Sequence, residues 1–294
     1  MPNVIRSRRA GPPACLDSLE RPSHTLWGLH HSRIAVTMGT ISHRETGLDR
    51  HTIVIPTYNE RENLGPLVEG ILNLGLGSQI IIIDDNSPDG TGELADELAA
   101  QYPGLQVLHR PGKLGLGTAH IAGMKAALAN GAACILTMDA DFSHHPRHLP
   151  DLLTALESLD VVIGSRYVPG GGTRYCTLPR RALSRGANLF ARTVLGLHAS
   201  DATAGFRGYR RAVLESIALD EIRSDGYSFL IELLFRCQRA GWRIGELPIL
   251  FENRQRGASK ISRAEILKAI QTVARLGWER VSNRSCPAKS PWTA

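Results

Sequence analysis

Residues 134–145 read Cys-Ile-Leu-Thr-Met-Asp-Ala-Asp-Phe-Ser-His-His, an apolar run that ends in two carboxylates one residue apart, Asp139 and Asp141. With Gly131 before it and Pro146 after it, the run fits a buried strand, and open α/β sheets bind ligands at the carboxyl ends of their strands. Paired carboxylates there suit a hard divalent cation, Mg2+ or Mn2+, which takes oxygen ligands, keeps some water and bridges to substrate phosphate. That chemistry points first to a nucleotide-activated substrate. The same two residues would equally well cap the turn and helix that follow, so the choice falls to the rest of the chain.

Three further polar clusters follow strand-like runs: Pro56-Thr57-Tyr58-Asn59-Glu60, Asp84-Asp85-Asn86 and Gly164-Ser165-Arg166-Tyr167. After a single strand such a cluster is ordinary turn chemistry. Four of them on one rim, carrying acids, an aromatic ring and an arginine, outline a crevice for a nucleotide with its metal. Tyr58 would contact a base or ribose, and Glu60 or Asp85 would accept hydrogen bonds from their donors, whereas Asn59 and Asn86 read as caps. Two other nucleotide sites fail on spacing. The glycine-rich stretch 112–117 has His120 where a dinucleotide fingerprint needs glycine or alanine, and it is not the first β-α turn. A P-loop is excluded because no Gly-Lys-Ser or Gly-Lys-Thr occurs.

The elements that must position these residues alternate. Strands are expected at 51–55, 79–83, 105–109, 132–138, 160–164 and 244–251, and helices at 61–74, 91–101, 118–129, 147–159, 181–197, 227–240 and 263–281. Such alternation predicts an α/β fold, a Rossmann-like, mostly parallel sheet with helices on both faces. Gly170-Gly171-Gly172 reads as a mobile hinge. In the last helix Ile266, Ile270, Val273 and Trp278 share one face, which would either lie on a membrane or pack on its own domain.

Composition sets the outer limits. The 294 residues carry a net charge of +6, which favours an anionic partner, but only 5% are aromatic and no basic stretch is interleaved with aromatics. A nucleic-acid partner is therefore not expected. No stretch approaches the roughly 18 consecutive apolar residues of a membrane-spanning helix. Five scattered cysteines without a C-x-x-C pair indicate a reducing compartment and no zinc site. Residues 1–50 lack a sustained apolar period and read as a disordered extension, with translation starting at Met38 as the corresponding expectation. The catalytic domain is expected at 51–281 and a flexible tail at 282–294.

Taken together, the motifs closely resemble those of the dolichol-phosphate mannose synthases, polyprenyl-phosphate glycosyltransferases within glycosyltransferase family 2. They are Ile-Pro-Thr-Tyr-Asn-Glu at 55–60, Asp-Asp-Asn-Ser-Pro-Asp-Gly-Thr at 84–91, Met-Asp-Ala-Asp-Phe-Ser-His-His-Pro at 138–146 and Gly-Ser-Arg-Tyr at 164–167. Ser-Arg-Gly-Ala-Asn at 184–188, Ser-Asp-Ala-Thr-Ala-Gly-Phe-Arg at 200–207, and Arg254 with Gly-Ala-Ser-Lys at 257–260 continue the series.

The resemblance implies an A-type glycosyltransferase fold and inverting, metal-dependent transfer of mannose from GDP-mannose to dolichyl or polyprenyl phosphate. Transfer of glucose, or transfer to a hydroxyl of a polysaccharide, is the alternative. By position, Pro56, Tyr58, Glu60, Ile83 and Asp85 would hold the nucleoside, and Asp139, Ala140 and Asp141 the metal and diphosphate. Arg166, Arg180 and Ser184 would cradle the acceptor phosphate, and Arg254 and Lys260 would close over the donor phosphates. Some relatives have glutamine where this chain has Ser143, so the third side-chain metal ligand there is either Ser143 or water. Asp201 stands as a catalytic base or a sugar-positioning group, or else as a helix cap or loop anchor. The polar carboxyl end leads to the expectation of a cytoplasmic protein, peripheral to the membrane or held there by an anchoring partner subunit.

Overall fold

The computed structural model describes residues 50–253 and 263–282. The expectations for residues 1–49, Met38 among them, for Arg254 and Lys260, and for residues 283–294 lie outside the described residues.

Three β-α units open the domain: β1 (His51–Thr57), α1 (Arg61–Leu72), β2 (Gln79–Asp84), α2 (Thr91–Gln101), β3 (Leu105–His109) and α3 (Leu116–Ala129). They continue into β4 (Cys134–Thr137), α4 (Leu149–Ala155) and β5 (Val161–Ser165). Then come β6 (Gly172–Arg174), α5 (Leu178–Leu195), β7 (Arg207–Arg210), α6 (Arg211–Ser216), α7 (Ser228–Arg239), β8 (Ile244–Pro248), β9 (Leu250–Glu252) and α8 (Arg263–Ser282). The main sheet runs β3-β2-β1-β4-β7-β5-β8, and every neighbouring pair is parallel except those that involve β7.

Side chains along β1 and β2 alternate between two cores, as a strand's period of two demands. Ile53, Ile55, Ile80 and Ile82 pack with Leu64, Leu67 and Leu152 on one side. Val54, Ile81 and Ile83 pack with Met124, Phe229 and Leu233 on the other. Helices thus cover both faces, which explains why these strands read as continuous apolar runs. On the second face α3 lies so close that a Cβ at Gly123 would come within 2.4 Å of Val54.

Four departures from the sequence reading have physical causes. First, β1 does not stop before Pro56, because a residue there points its backbone toward β4, whose pairing ends at Val54–Thr137, so the missing N–H removes no ladder bond.

Second, β7 is antiparallel and was not expected. Its Arg-Gly-Tyr-Arg has no apolar run, yet Arg207 is wholly buried, its guanidinium donating to the carbonyls of Ala202, Ala204 and Leu230 at 2.7–2.8 Å.

Third, Gly170 to Gly172 is a tied turn rather than a loose hinge. Gly171 N–H donates to Val168, Gly172 N–H donates to Ile249, and β6 pairs with β9.

Fourth, the apolar residues of α8 fall on two faces. Val273 is buried with Leu276, whereas Trp278 is 76% exposed.

The second core also holds a pH-sensitive group. His120 is fully buried, stacks on Phe229 and has no partner for either ring nitrogen. Burial, reinforced by the charge of Arg207, lowers its pKa from 6.5 to about 3. The fold therefore holds it neutral while the unfolded chain takes up a proton below pH 6.5. Its contribution to stability is present above 6.5 and is lost as the pH falls toward 3. The unfolding free energy from urea titrations is expected to fall between pH 7 and pH 5, by about 1 kcal/mol per pH unit from this residue, and the slope should flatten in His120→Leu.

Candidate active site

The strand order reverses between β1 and β4: the first three strands step outward from β1, and the fourth returns to its other side. Ligands sit at such a switch point. Tyr58 and Glu60 follow β1 there, Asp85 follows β2, Asp139 and Asp141 follow β4, and Arg166 follows β5. All of them lie at the carboxyl edge of the sheet.

On the donor side the register sets Pro56 beside Ile83 and Thr57 beside Asp84. Asp84 is structural, its carboxylate accepting from Ser87 N–H and from the hydroxyls of Ser87 and Thr57. Asp85 pairs with Arg110 at 2.8 Å. Burial raises the Asp85 pKa, and Arg110 offsets only part of that. Glu60 accepts from Asn63 at 2.9 Å, and Lys113 lies 4.2 Å from the Tyr58 ring centre. Asn59 and Asn86 are not caps: both adopt left-handed backbone, φ 58° and 56°, which asparagine tolerates in turns.

The carboxylate turn is strained. Phe142, between Asp141 and Ser143, has φ 57°, a left-handed value costly for a bulky side chain. The turn brings Ser143 N–H back to Asp141 Oδ1 at 3.0 Å. Asp141 is buried, while the Asp139 side chain is 25% exposed toward the crevice. Room for Asp139 is left by Gly205, where a Cβ would lie 3.3 Å from its carboxylate. Ala140, between the two acids, packs into the core. His144 is buried against Phe206, with Nδ1 3.7 Å from Asp139 Oδ2. Burial is the main reason its pKa falls to about 4, which leaves the ring uncharged.

This donor set fits a hard divalent ion. Among the described residues no three His, Cys, Asp or Glu side chains converge as a closed metal cluster. The two carboxylates leave coordination positions for water and phosphate oxygens, as Mg2+ and Mn2+ require.

Asp139, Asp141 and Ser143 share a chamber of about 540 Å3 with Arg166, Arg180 and Ser184. Arg166 is clamped: its Nε and Nη2 donate to Asp201 at 2.7 and 2.6 Å, its backbone N–H donates to the same carboxylate at 3.1 Å, and Nη2 also reaches Thr203. Burial alone would lower the Arg166 pKa and raise that of Asp201. Hydrogen bonding and charge between the two reverse both effects, so both stay ionised.

Asp201 is fully buried and accepts two side-chain bonds from that guanidinium, which keeps its carboxyl ionised. It is the loop anchor that holds Arg166. Its own loop is fixed by Glu246, which accepts from the Ser200 and Asp201 N–H groups, and by Asn188 of α5, which bonds Ala202 and Thr203. The Tyr167 hydroxyl donates to Ser184 at 2.7 Å. Sequence reasoning assigned no role to Arg110, His144, Tyr167, Asn188, Thr203 or Glu246. His144, Tyr167, Asn188 and Thr203 lie inside the family-like motifs, whereas Arg110 and Glu246 carry no local signal.

Residues 52–218 match glycosyl transferase family 2. The chain belongs to that family. It is 45% identical over 236 residues to the undecaprenyl-phosphate mannosyltransferase of Micrococcus luteus, covering 79% of this chain and 97% of the relative. It is 46% identical over 231 residues to the polyprenol monophosphomannose synthase of Mycolicibacterium smegmatis, covering 78% and 87%.

Among solved structures, the glucosyl-3-phosphoglycerate synthase of Mycobacterium tuberculosis aligns with TM-score 0.55 at 20% identity, over 78% of this chain and 80% of that one. The mannosyl-3-phosphoglycerate synthase of Rubrobacter xylanophilus aligns with TM-score 0.55 at 19% identity, over 85% and 80%. The transferase therefore has the expected A-type fold, with β7 as the antiparallel member of a mostly parallel sheet.

Proposed function

We propose that this transferase moves mannose from GDP-mannose to a polyprenyl phosphate, inverting the anomeric centre. The amphipathic chamber carries the proposal. Arg166, Arg180, Ser184 and Tyr167 line it together with the carboxylate pair, and so do the apolar Leu183, Phe190, Ile231, Ile266, Ile270 and Val273. A phosphate group on a hydrocarbon chain matches both kinds of lining. Both curated relatives are named for mannose chemistry on polyprenol carriers, which supports the sugar and the acceptor class. GDP as the leaving nucleotide rests on the motif resemblance.

In this reading Tyr58 and Asp85 receive the nucleoside, and Asp139 and Asp141 hold a divalent ion that offsets charge on the departing diphosphate. Arg166, presented by Asp201, and Arg180 bind the acceptor phosphate. One phosphate oxygen forms a bond to the sugar C1 as the bond from C1 to the diphosphate breaks, and GDP leaves. A phosphate monoester has its second pKa near 6, so the nucleophile is already ionised and no base is required. The locked state of Asp201 agrees with that, and counts against a hydroxyl acceptor. Incubation with labelled GDP-mannose, undecaprenyl phosphate and Mg2+ or Mn2+ is expected to give lipid-extractable label that chelation abolishes. Failure with every sugar nucleotide and every polyprenyl phosphate would refute the proposal.

The site would work at a membrane surface. No helix among the described residues is long and apolar enough to cross a bilayer. On α5 the residues Leu178, Ala182, Arg185 and Leu189 repeat on one exposed face, and that helix carries four arginines and no acid. On α8, Leu267, Ile270, Ala274, Trp278 and Val281 do the same. Leu183, Phe190 and Ile270 are part exposed at the chamber. Apolar side chains flanked by arginine suit an anionic lipid surface. The double substitution Leu189→Glu/Trp278→Glu should cut cosedimentation with phosphatidylglycerol vesicles about tenfold or more, while turnover of a short-chain acceptor stays unchanged.

A further inference from the structure

One buried charge cluster lies outside the machinery described so far. Glu232 of α7 has no exposed side-chain surface, yet its carboxylate is saturated with donors. It accepts from the Ser224 N–H at 3.1 Å and from the Ser224 hydroxyl. Arg236 donates from Nε at 3.1 Å and Nη2 at 2.8 Å, and Arg275 of α8 donates from Nη2 at 2.6 Å. Arg275 also reaches the Ser224 hydroxyl at 3.1 Å, and Thr272 lies 3.2 Å from the same oxygen. Ser224, Glu232 and α8 are thereby joined at one point.

That point matters because α8 is a wall of the chamber. It contributes Ile266, Ala269, Ile270 and Val273, facing Leu183 and Phe190 of α5 and Ile231 of α7. Ile231 is the residue next to Glu232, so α7 offers one side chain to the chamber and the adjacent one to the cluster. The apolar attachment of α8 is slight: among its described side chains Val273 and Leu276 are the buried apolar ones, and Arg280 and Lys268 add bonds to the Val194 carbonyl and to Asp225. Apolar packing is non-directional, whereas charge-assisted bonds from a forked guanidinium are directional.

We infer that Glu232 and Arg275 are positioning residues that clasp the α8 wall in place for the hydrocarbon chain of the acceptor, an inference that rests on the acceptor reading above. The clasp acts on the chain-binding part of the chamber and leaves the phosphate cradle and the donor crevice alone. Removing Arg275 does not orphan Glu232, since Arg236 still donates two hydrogen bonds to it, so the fold is expected to survive.

The test is equilibrium binding, without turnover, of three ligands in detergent solution: undecaprenyl phosphate, citronellyl phosphate and GDP-mannose. Arg275→Met is expected to weaken the long-chain phosphate about tenfold while the short-chain phosphate and GDP-mannose keep their affinities. Arg275→Lys retains a charged donor and should stay within about threefold of the unsubstituted protein. Unchanged long-chain affinity in Arg275→Met overturns the inference. So does equal weakening of all three ligands, which would mean a general loosening rather than a positioned wall. If the unsubstituted protein binds neither phosphate, the acceptor reading falls and the clasp with it. If it binds both and only the Arg275→Met result fails, the acceptor reading stands and the clasp alone is wrong.

Discussion

Asp141→Asn is expected to reduce sugar transfer by about a thousandfold or more, with the urea midpoint nearly unchanged. The amide keeps the shape of the carboxylate and can still accept the Ser143 N–H through its oxygen, so the strained turn at Phe142 survives. In the proposed mechanism it removes one of the two negative charges that would hold the cation beside the leaving diphosphate. Ser143 contributes its backbone N–H to that turn, and among the described residues no third His, Cys, Asp or Glu side chain joins the pair to compensate. Steady-state rates over a range of Mn2+ concentrations check this: the loss should not be rescued by millimolar metal. Turnover within tenfold of the unsubstituted enzyme would mean that the pair only caps its turn.

Breaking the buried pair between Arg166 and Asp201 should have the next largest effect. Asp201→Asn leaves a guanidinium that is mostly buried without its counter-charge, and Arg166→Met leaves a wholly buried carboxylate without one. Each is expected to cost about 3 kcal/mol of stability, and the double variant less than the sum, as read from denaturant midpoints. The catalytic consequences separate the positioning role from the base role. With Asp201 as an anchor, Asp201→Asn raises the KM for the acceptor phosphate, spares donor affinity and leaves the shape of the pH-rate profile unchanged. As a base it would lower kcat by orders of magnitude with little change in KM. Acid behaviour follows the same pair. Burial opposes the ionised Asp201, but Arg166 more than offsets it and keeps the carboxyl below 3.8. The pair's stabilisation is therefore complete above that value and is lost as the pH falls below it.

Much of the site was legible in the sequence because its chemistry is concentrated at strand ends. Long isoleucine runs at β2 and the apolar end of β4 announce buried parallel strands. The acids that follow cannot be core residues, so their position on the rim is nearly forced. What stayed hidden depends on contacts distant along the chain. The role of Asp201 could not be read, since a loop carboxylate looks alike whether it faces solvent or a guanidinium on the strand end at Arg166. The strand β7 was missed because Arg207 satisfies its donors on carbonyls contributed by a loop and by α7, a pattern without local periodicity. On α8 the sequence shows apolar residues all round much of the helix, and only packing against α5 and α7 separates the buried Val273 and Leu276 from the exposed Leu267 and Trp278.

In the proposed mechanism Asp139 and Asp141 hold a divalent ion beside the donor diphosphate. Pulsed electron paramagnetic resonance of Mn2+ added with GDP-mannose tests it directly. Tight Mn2+ binding is expected only when the nucleotide sugar is present, with strong 31P hyperfine coupling from its phosphates, and both should be lost in Asp141→Asn. Bound Mn2+ without phosphorus coupling, or the same spectrum in Asp141→Asn, would contradict it.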